Sequence, residues 1–161
     1  MQEITQIEEY AKEHAVPIIK EEGSEFICKY IRDHNVKKIL EIGTAIAYSS
    51  IKFAKQAEDI FVTTVEYDID RYHQAVKNIL DNNLMDRITV YLADAASLDF
   101  NEKFDLIFID GPKAQNLKYF EKFKHNLAQD GVIVTDNLSF HGMVEDLSLT
   151  HNYSTKKLVK K

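Results

Sequence analysis

The sequence predicts an α/β fold: a doubly wound, mostly parallel sheet with helices on both faces. Two observations carry this. Short β-rich runs alternate with helical runs along the chain, the pattern of βαβ units with right-handed crossovers. The β-rich runs are also continuously apolar, as strands buried on both faces must be. The five strand candidates are Lys38–Ile42, Phe61–Val65, Ile88–Leu92, Phe104–Ile109 and Val132–Thr135. Helical stretches at Tyr48–Gln56, Ile69–Leu84 and Ala114–Ala128 separate them, with a shorter connection over Asp94–Lys103. Ahead of the first strand, residues from about Thr5 to Ala15 have helix-forming composition. Pro17 suits the first turn of a second helix, in which Ile19, Phe26, Ile27, Tyr30 and Ile31 recur at helical spacing.

The chain has 161 residues, which makes one domain spanning 1–161: N-terminal helices over 1–35 and a ligand-binding core over 37–137. A chain of this size buries enough surface to need no staple. Its single cysteine, Cys28, excludes an internal disulfide and a multi-thiolate zinc site, and is read as packed and inert. The six histidines have no metal-type spacing. No apolar run reaches the roughly 20 residues that span a bilayer. The acidic N-terminus does not resemble a signal peptide. The expectation is a cytoplasmic protein without a membrane partner. Twenty basic residues against 26 acidic give a net charge of −6, which argues against coating nucleic acid through bulk charge. An enzyme that reads one nucleotide through a local patch stays open.

In open parallel sheets, ligands bind beyond the carboxyl ends of the strands. Those ends read Glu41 with Gly43, then Glu66, Asp94, Asp110, and Asp136 with Asn137. One acid after a strand is ordinary helix capping. Five on one rim point to a cation or a polyhydroxyl ligand, because clustered carboxylates otherwise repel. The turn after the first strand, Glu41-Ile-Gly-Thr-Ala-Ile-Ala-Tyr-Ser-Ser50, is built of small residues that let a ligand approach the backbone. It lacks the G-x-G-x-x-G fingerprint, which weakens a nicotinamide or flavin reading. Glu66 stands where an acid takes the two hydroxyls of a ribose; its bland reading is a cap for the next helix. Tyr48 and Tyr67 flank this turn and fit either a cofactor wall or the core. Asp110-Gly-Pro-Lys113 and Asp136-Asn137 read as plain turns when taken singly.

These segments, with D-x-x-K (Asp110, Lys113) followed after one helix by G-x-I-x-x-D-N (Gly131 to Asn137), resemble the class I S-adenosylmethionine-dependent O-methyltransferases. The likeness is to the catechol and caffeoyl-CoA type, closest to the bacterial tRNA 5-hydroxyuridine methyltransferases, and runs from about Tyr10 to Val144. The resemblance implies a Rossmann-like fold and S-adenosylmethionine as cofactor. It implies Asp110, Asp136 and Asn137 as ligands of a divalent metal, Mg²⁺, and Lys113 as the catalytic lysine. It implies Gly43 and Ser49 at the methionine end of the cofactor with backbone from Ile19, Glu66 at the ribose, and Asp94 and Ala95 at the adenine, with Glu41 and Asp110 also in the cofactor set.

The chemistry is coherent. Methyl transfer from a sulfonium is an in-line displacement, so holding the acceptor oxygen is much of the task. A hard cation on carboxylate and amide oxygens would orient a hydroxyl and lower its pKa, and a nearby lysine would accept the proton. The favoured acceptor implied by the resemblance is 5-hydroxyuridine at the wobble position of tRNA. The alternatives are a small hydroxylated aromatic of the catechol or phenolic type, a cofactor-binding module without activity, and, disfavoured by the missing glycines, a nucleotide-binding oxidoreductase. Two departures stand out. Ala47 occupies a position where the family has glycine. The family's C-terminal helix and antiparallel strand pair are apparently missing. Phe140 to Met143 is a candidate acceptor rim, and a homodimer is an expectation from the resemblance.

Overall fold

The computed structural model describes residues 4–110 and 113–135. Five strands form one parallel sheet in the order β3-β2-β1-β4-β5. They are β1 (Lys38–Ile42), β2 (Phe61–Glu66), β3 (Ile88–Leu92), β4 (Phe104–Ile109) and β5 (Leu127–Thr135). Helices α1 (Ile4–Glu13) and α2 (Glu21–Asp33) precede the sheet; α3 (Tyr48–Ala54), α4 (Ile69–Asp81) and α5 (Lys113–Phe123) connect its strands. The chain builds outward from β1 to β3, then returns to the other side of β1 for β4 and β5. The reversal leaves a crevice between the ends of β1 and β4, where such sheets bind ligands.

Alternation along the buried strands divides the apolar side chains into two cores. Ile39, Val62, Ile88, Leu106, Phe108, Val132 and Val134 pack with helices α1 to α4 on one face. Leu40, Ile42, Val65, Ile107, Ile109 and Ile133 pack with Tyr119, Phe120 and Phe123 of α5 on the other. Helices cover both faces, as the strand composition predicts.

Several element boundaries differ from expectation. The second helix does not start at Pro17. Residues 16–20 have no regular secondary structure, and α2 begins at Glu21 with the extended Lys20 as its N-cap. Proline biases the residue before it towards extended backbone, and Glu21 and Glu22 suit the positive end of the helix dipole better than the apolar Ile18-Ile19 pair. Ile19 goes into the core, 4% exposed. Helix α4 ends at Asp81, three residues early, where Asn82 caps it and Asn83 takes the left-handed conformation that terminates helices. The last helix stops at Phe123, a 3₁₀ turn covers Lys124–Asn126, and β5 starts at Leu127, earlier than Val132. Its register against β4 slips between Phe104 and Leu106, next to Asp130 at φ 66°. Among the described residues no helix is long and apolar enough to cross a membrane.

Candidate cofactor-binding cleft

A cleft of about 430 Å³ opens at the carboxyl edge of the sheet. Its floor is Ile42, Gly43 and Ala45 after β1, and Val65 and Glu66 at the end of β2. Ala93 and Ala95 line it beyond β3, and Asp110 beyond β4. Pro17 and Ile18 wall it from the connection between α1 and α2, Tyr67 and Arg71 from the start of α4, and Gln115 and Tyr119 from α5.

The turn after β1 is held from several sides. The N–H groups of Gly43 and Thr44 both donate to the carbonyl of Val65, at 2.9 and 3.1 Å. Ala47 N–H donates to Thr44 O at 2.9 Å, and the buried Asn78 amide donates to Ile46 O at 2.8 Å. Within this frame Ala45 (φ 51°) and Ala47 (φ 71°) occupy left-handed backbone, which costs a residue with a Cβ about 1–2 kcal/mol. Ala47 is wholly buried at the N-cap of α3, in left-handed backbone that a glycine adopts without this cost. Gly43 has no such latitude: its φ is 102°, and a Cβ there would lie 2.0 Å from the carbonyl oxygen of Asp110. Bare backbone at this point lets the ends of β1 and β4 close together, with Asp110 N–H donating to Ile42 O at 2.8 Å.

Glu66 is 4% exposed, yet it is one of the residues that line the cleft. Oε1 accepts the Ala45 N–H at 2.7 Å and Oε2 accepts the Asp68 N–H at 3.0 Å. A carboxylate has about four acceptor positions, so two remain for the adjacent hydroxyls of a ribose. Glu66 is not the helix cap; Asp68 fills that role, accepting from the N–H groups of Asp70 and Arg71.

Other expected site residues take supporting positions. Glu41 is fully buried and is not among the residues that line the cleft. It accepts hydrogen bonds from Ser49, Ser50 and Thr64, and Thr64 in turn bonds Thr44 at 2.6 Å. Burial pushes its carboxyl up to about 7, with the three hydroxyls pulling the other way. Ser49 likewise turns inward, towards Glu41. Ile19 is off the cleft surface, although its neighbours Pro17 and Ile18 form it. Asp94 caps the 3₁₀ turn Ala95–Ser97 through the Ala96 N–H at 2.9 Å and sits at the rim. Among the described residues the rim acids do not form one ligand cluster. Glu41 serves hydroxyls and Asp94 serves local backbone, and among the described residues no three His, Cys, Asp or Glu side chains converge as a metal site.

Asp110 is half-buried and lines the cleft directly after β4. Lys113 opens α5 three residues later. Asp136, Asn137 and the Phe140 to Met143 rim lie outside the described residues. Tyr48 resolves to structure: it is buried and donates to Glu8 Oε2 at 2.7 Å, tying α3 to α1. Tyr67 resolves to the cleft and is 77% exposed. Cys28 is buried, and burial pushes its thiol up to about 11, which keeps it unreactive.

Sequence reasoning missed Ile18, Arg71, Gln115 and Tyr119. Arg71 and Tyr119 sit inside helical runs where charge or apolar periodicity reads as ordinary amphipathic surface, and only the helix positions show that they face the ligand space.

A sequence profile of the family described as O-methyltransferase matches residues 1–160. Among solved structures, a Staphylococcus aureus chain provisionally described as a caffeoyl-CoA O-methyltransferase is 34% identical, with a TM-score of 0.81, covering 99% of this chain and 78% of its own. A Bacillus cereus O-methyltransferase in complex with S-adenosylhomocysteine is 26% identical, with a TM-score of 0.77, over 98% of this chain and 74% of its own. A Mycobacterium tuberculosis catechol O-methyltransferase is 28% identical over 124 residues, which is 74% of this chain and 56% of that protein. The chain spans 40–57% of the length of the curated relatives it first matches. The match over nearly the whole sequence, the sheet order and the cleft built on Gly43 and Glu66 agree: the chain belongs to the O-methyltransferase family.

Proposed function

We propose that the cleft binds S-adenosylmethionine and that the chain transfers its methyl group to a hydroxyl oxygen, with 5-hydroxyuridine in tRNA as the favoured acceptor. The observation that carries the cofactor reading is Glu66, a nearly buried acid that lines a 430 Å³ cleft together with the bare backbone of Gly43. The Bacillus cereus relative solved with S-adenosylhomocysteine supports it. The tRNA acceptor rests on the sequence resemblance alone, since the D-x-x-K and G-x-I-x-x-D-N motifs serve either kind of acceptor.

Residue roles follow the cleft. Glu66 takes the ribose hydroxyls, and the turn from Gly43 to Ala47 leaves room for the amino-acid end of the cofactor. Lys113, three residues beyond the cleft residue Asp110, accepts the proton of the acceptor hydroxyl. Asp110, with Asp136 and Asn137, presents the oxygen donors that a hard cation prefers, and Asp110 faces the cleft as that role requires. A divalent cation bound there would lower the acceptor's pKa and fix its two adjacent oxygens.

A second reading, a small hydroxylated aromatic as acceptor, is favoured by the catechol-methylating relative and by the net charge of −6. Methyl-transfer assays with labelled cofactor, on tRNA lacking the modification and on a catechol panel, with and without Mg²⁺, separate the readings. Transfer to tRNA that falls steeply with salt supports the first. Transfer to catechols alone supports the second. Lys113→Ala should abolish transfer while keeping S-adenosylhomocysteine binding. Binding without transfer to either class would contradict both.

A further inference from the structure

The cleft contains one cation that the proposed chemistry does not use. Arg71, in the first turn of α4, lines the cleft beside Glu66 and Tyr67. It is half-buried, and its guanidinium has no hydrogen-bond or ion-pair partner among the described residues. An arginine left unpaired in a cleft lined by two carboxylates, Glu66 and Asp110, calls for an explanation, because the side chain usually finds a carboxylate.

The strand order fixes where along the ligand Arg71 falls. Glu66 ends β2, while Gly43 and Asp110 end β1 and β4 on one side of it. A nucleoside whose sugar sits at Glu66 and whose amino-acid end runs towards Gly43 must place its base on the other side, towards β3. The cleft there is lined by Ala93 and Ala95, small and apolar, which suits a flat ring rather than a charged group. Two further side chains line the cleft from helices on opposite faces of the sheet. Arg71 comes from α4, which packs in the core of α1 to α4 through Ala75 and Ile79. Tyr119 comes from α5, in the other core. Tyr119 donates its hydroxyl to Gln115 Oε1 at 2.9 Å, so its polar tip is engaged along its own helix.

We propose that Arg71 is a specificity-determining residue that lays its planar guanidinium over one face of the cofactor's adenine ring, across from Tyr119. The inference rests on the S-adenosylmethionine reading of the cleft and adds a base-recognition residue to it. Guanidinium groups stack on aromatic faces, and more effectively where water is partly excluded. A phosphate is the other ligand an arginine takes. It fits this end poorly, because Glu66 and the rim carboxylate of Asp94 would repel a second anion.

Calorimetric titration tests this with three probes: S-adenosylhomocysteine, adenosine, and S-ribosylhomocysteine, which keeps the sugar and amino acid but lacks the base. Arg71→Ala should weaken the first two about three- to thirty-fold and leave the third unchanged. Arg71→Lys keeps the charge without the plane and should not restore binding. The inference is overturned if Arg71→Ala binds S-adenosylhomocysteine as the wild type does. It is equally overturned if all three probes weaken together, or if lysine restores affinity in a salt-sensitive way, the sign of an anion contact. A wild type that binds none of the probes would overturn the cofactor reading and this inference with it.

Discussion

At Gly43 a single missing Cβ decides whether the cleft exists. The 2.0 Å approach to Asp110 O leaves no space for a methyl group, and neither neighbour is a flexible side chain that can swing away. Gly43→Ala should therefore cost about 2–4 kcal/mol in urea denaturation and weaken S-adenosylhomocysteine binding at the same time. Parent-like stability would mean that β1 and β4 do not close as described. Glu41 gives a pH signature. Its folded carboxyl sits near 7, above the ordinary 4.5, because burial favours the neutral form. Its contribution to stability is thus fully present below about pH 4.5 and is lost as pH rises through about 7. Thermal melts should show this decline in the wild type, and Glu41→Gln, neutral at every pH, should flatten it. An identical slope in both would refute the buried, proton-holding role. Glu66 and Gly43 were legible as site residues because strand-end position and residue type coincide there. Glu41 shares both traits, yet points inward. Its direction is set by the hydroxyls of Ser49, Ser50 and Thr64, which a strand-end argument does not see.

Among the elements, the strands were the most legible. The bounds of β1, β3 and β4 agree with the sequence reading, since a short apolar run between polar residues leaves little choice of ends. Helix ends depended on caps. Asp68 and Asn82 are the caps of α4, and the Glu21-Glu22 pair outweighed Pro17 in placing the start of α2. The early part of β5 was not legible because Gln129 and Asp130 are polar and exposed, and the strand there tolerates a register slip. One side chain adds polar ties between elements that already share a core. Arg87, just before β3, donates from Nη1 to the carbonyls of Ala54, Ala57 and Ile60 at 2.8, 2.9 and 3.0 Å. These are the end of α3 and the turn into β2. Arg87→Ala strands all three acceptors and should cost about 1.5–3 kcal/mol in chemical denaturation. A loss below about half a kcal/mol would show the clamp to be idle.

For the molecule as a whole, the sheet order explains why one edge carries the chemistry. Building from β1 outward and back places Glu66, Gly43 and Asp110 side by side, although they are far apart in sequence. Fold class and the place of Glu66 in the cleft followed from the alternation of elements and their strand ends. The aromatic and cationic walls from α4 and α5 emerged only with the helices in place, as surface periodicity hides which residue faces a ligand. The account stands on the cleft being a nucleoside-cofactor site read by Glu66. Titration calorimetry of S-adenosylhomocysteine into the wild type and Glu66→Gln tests this directly. The prediction is saturable one-to-one binding by the wild type and about tenfold or more weaker binding by the variant, as expected when a hydrogen bond to a charged group is lost. No binding by the wild type, or equal affinity in both proteins, would contradict it.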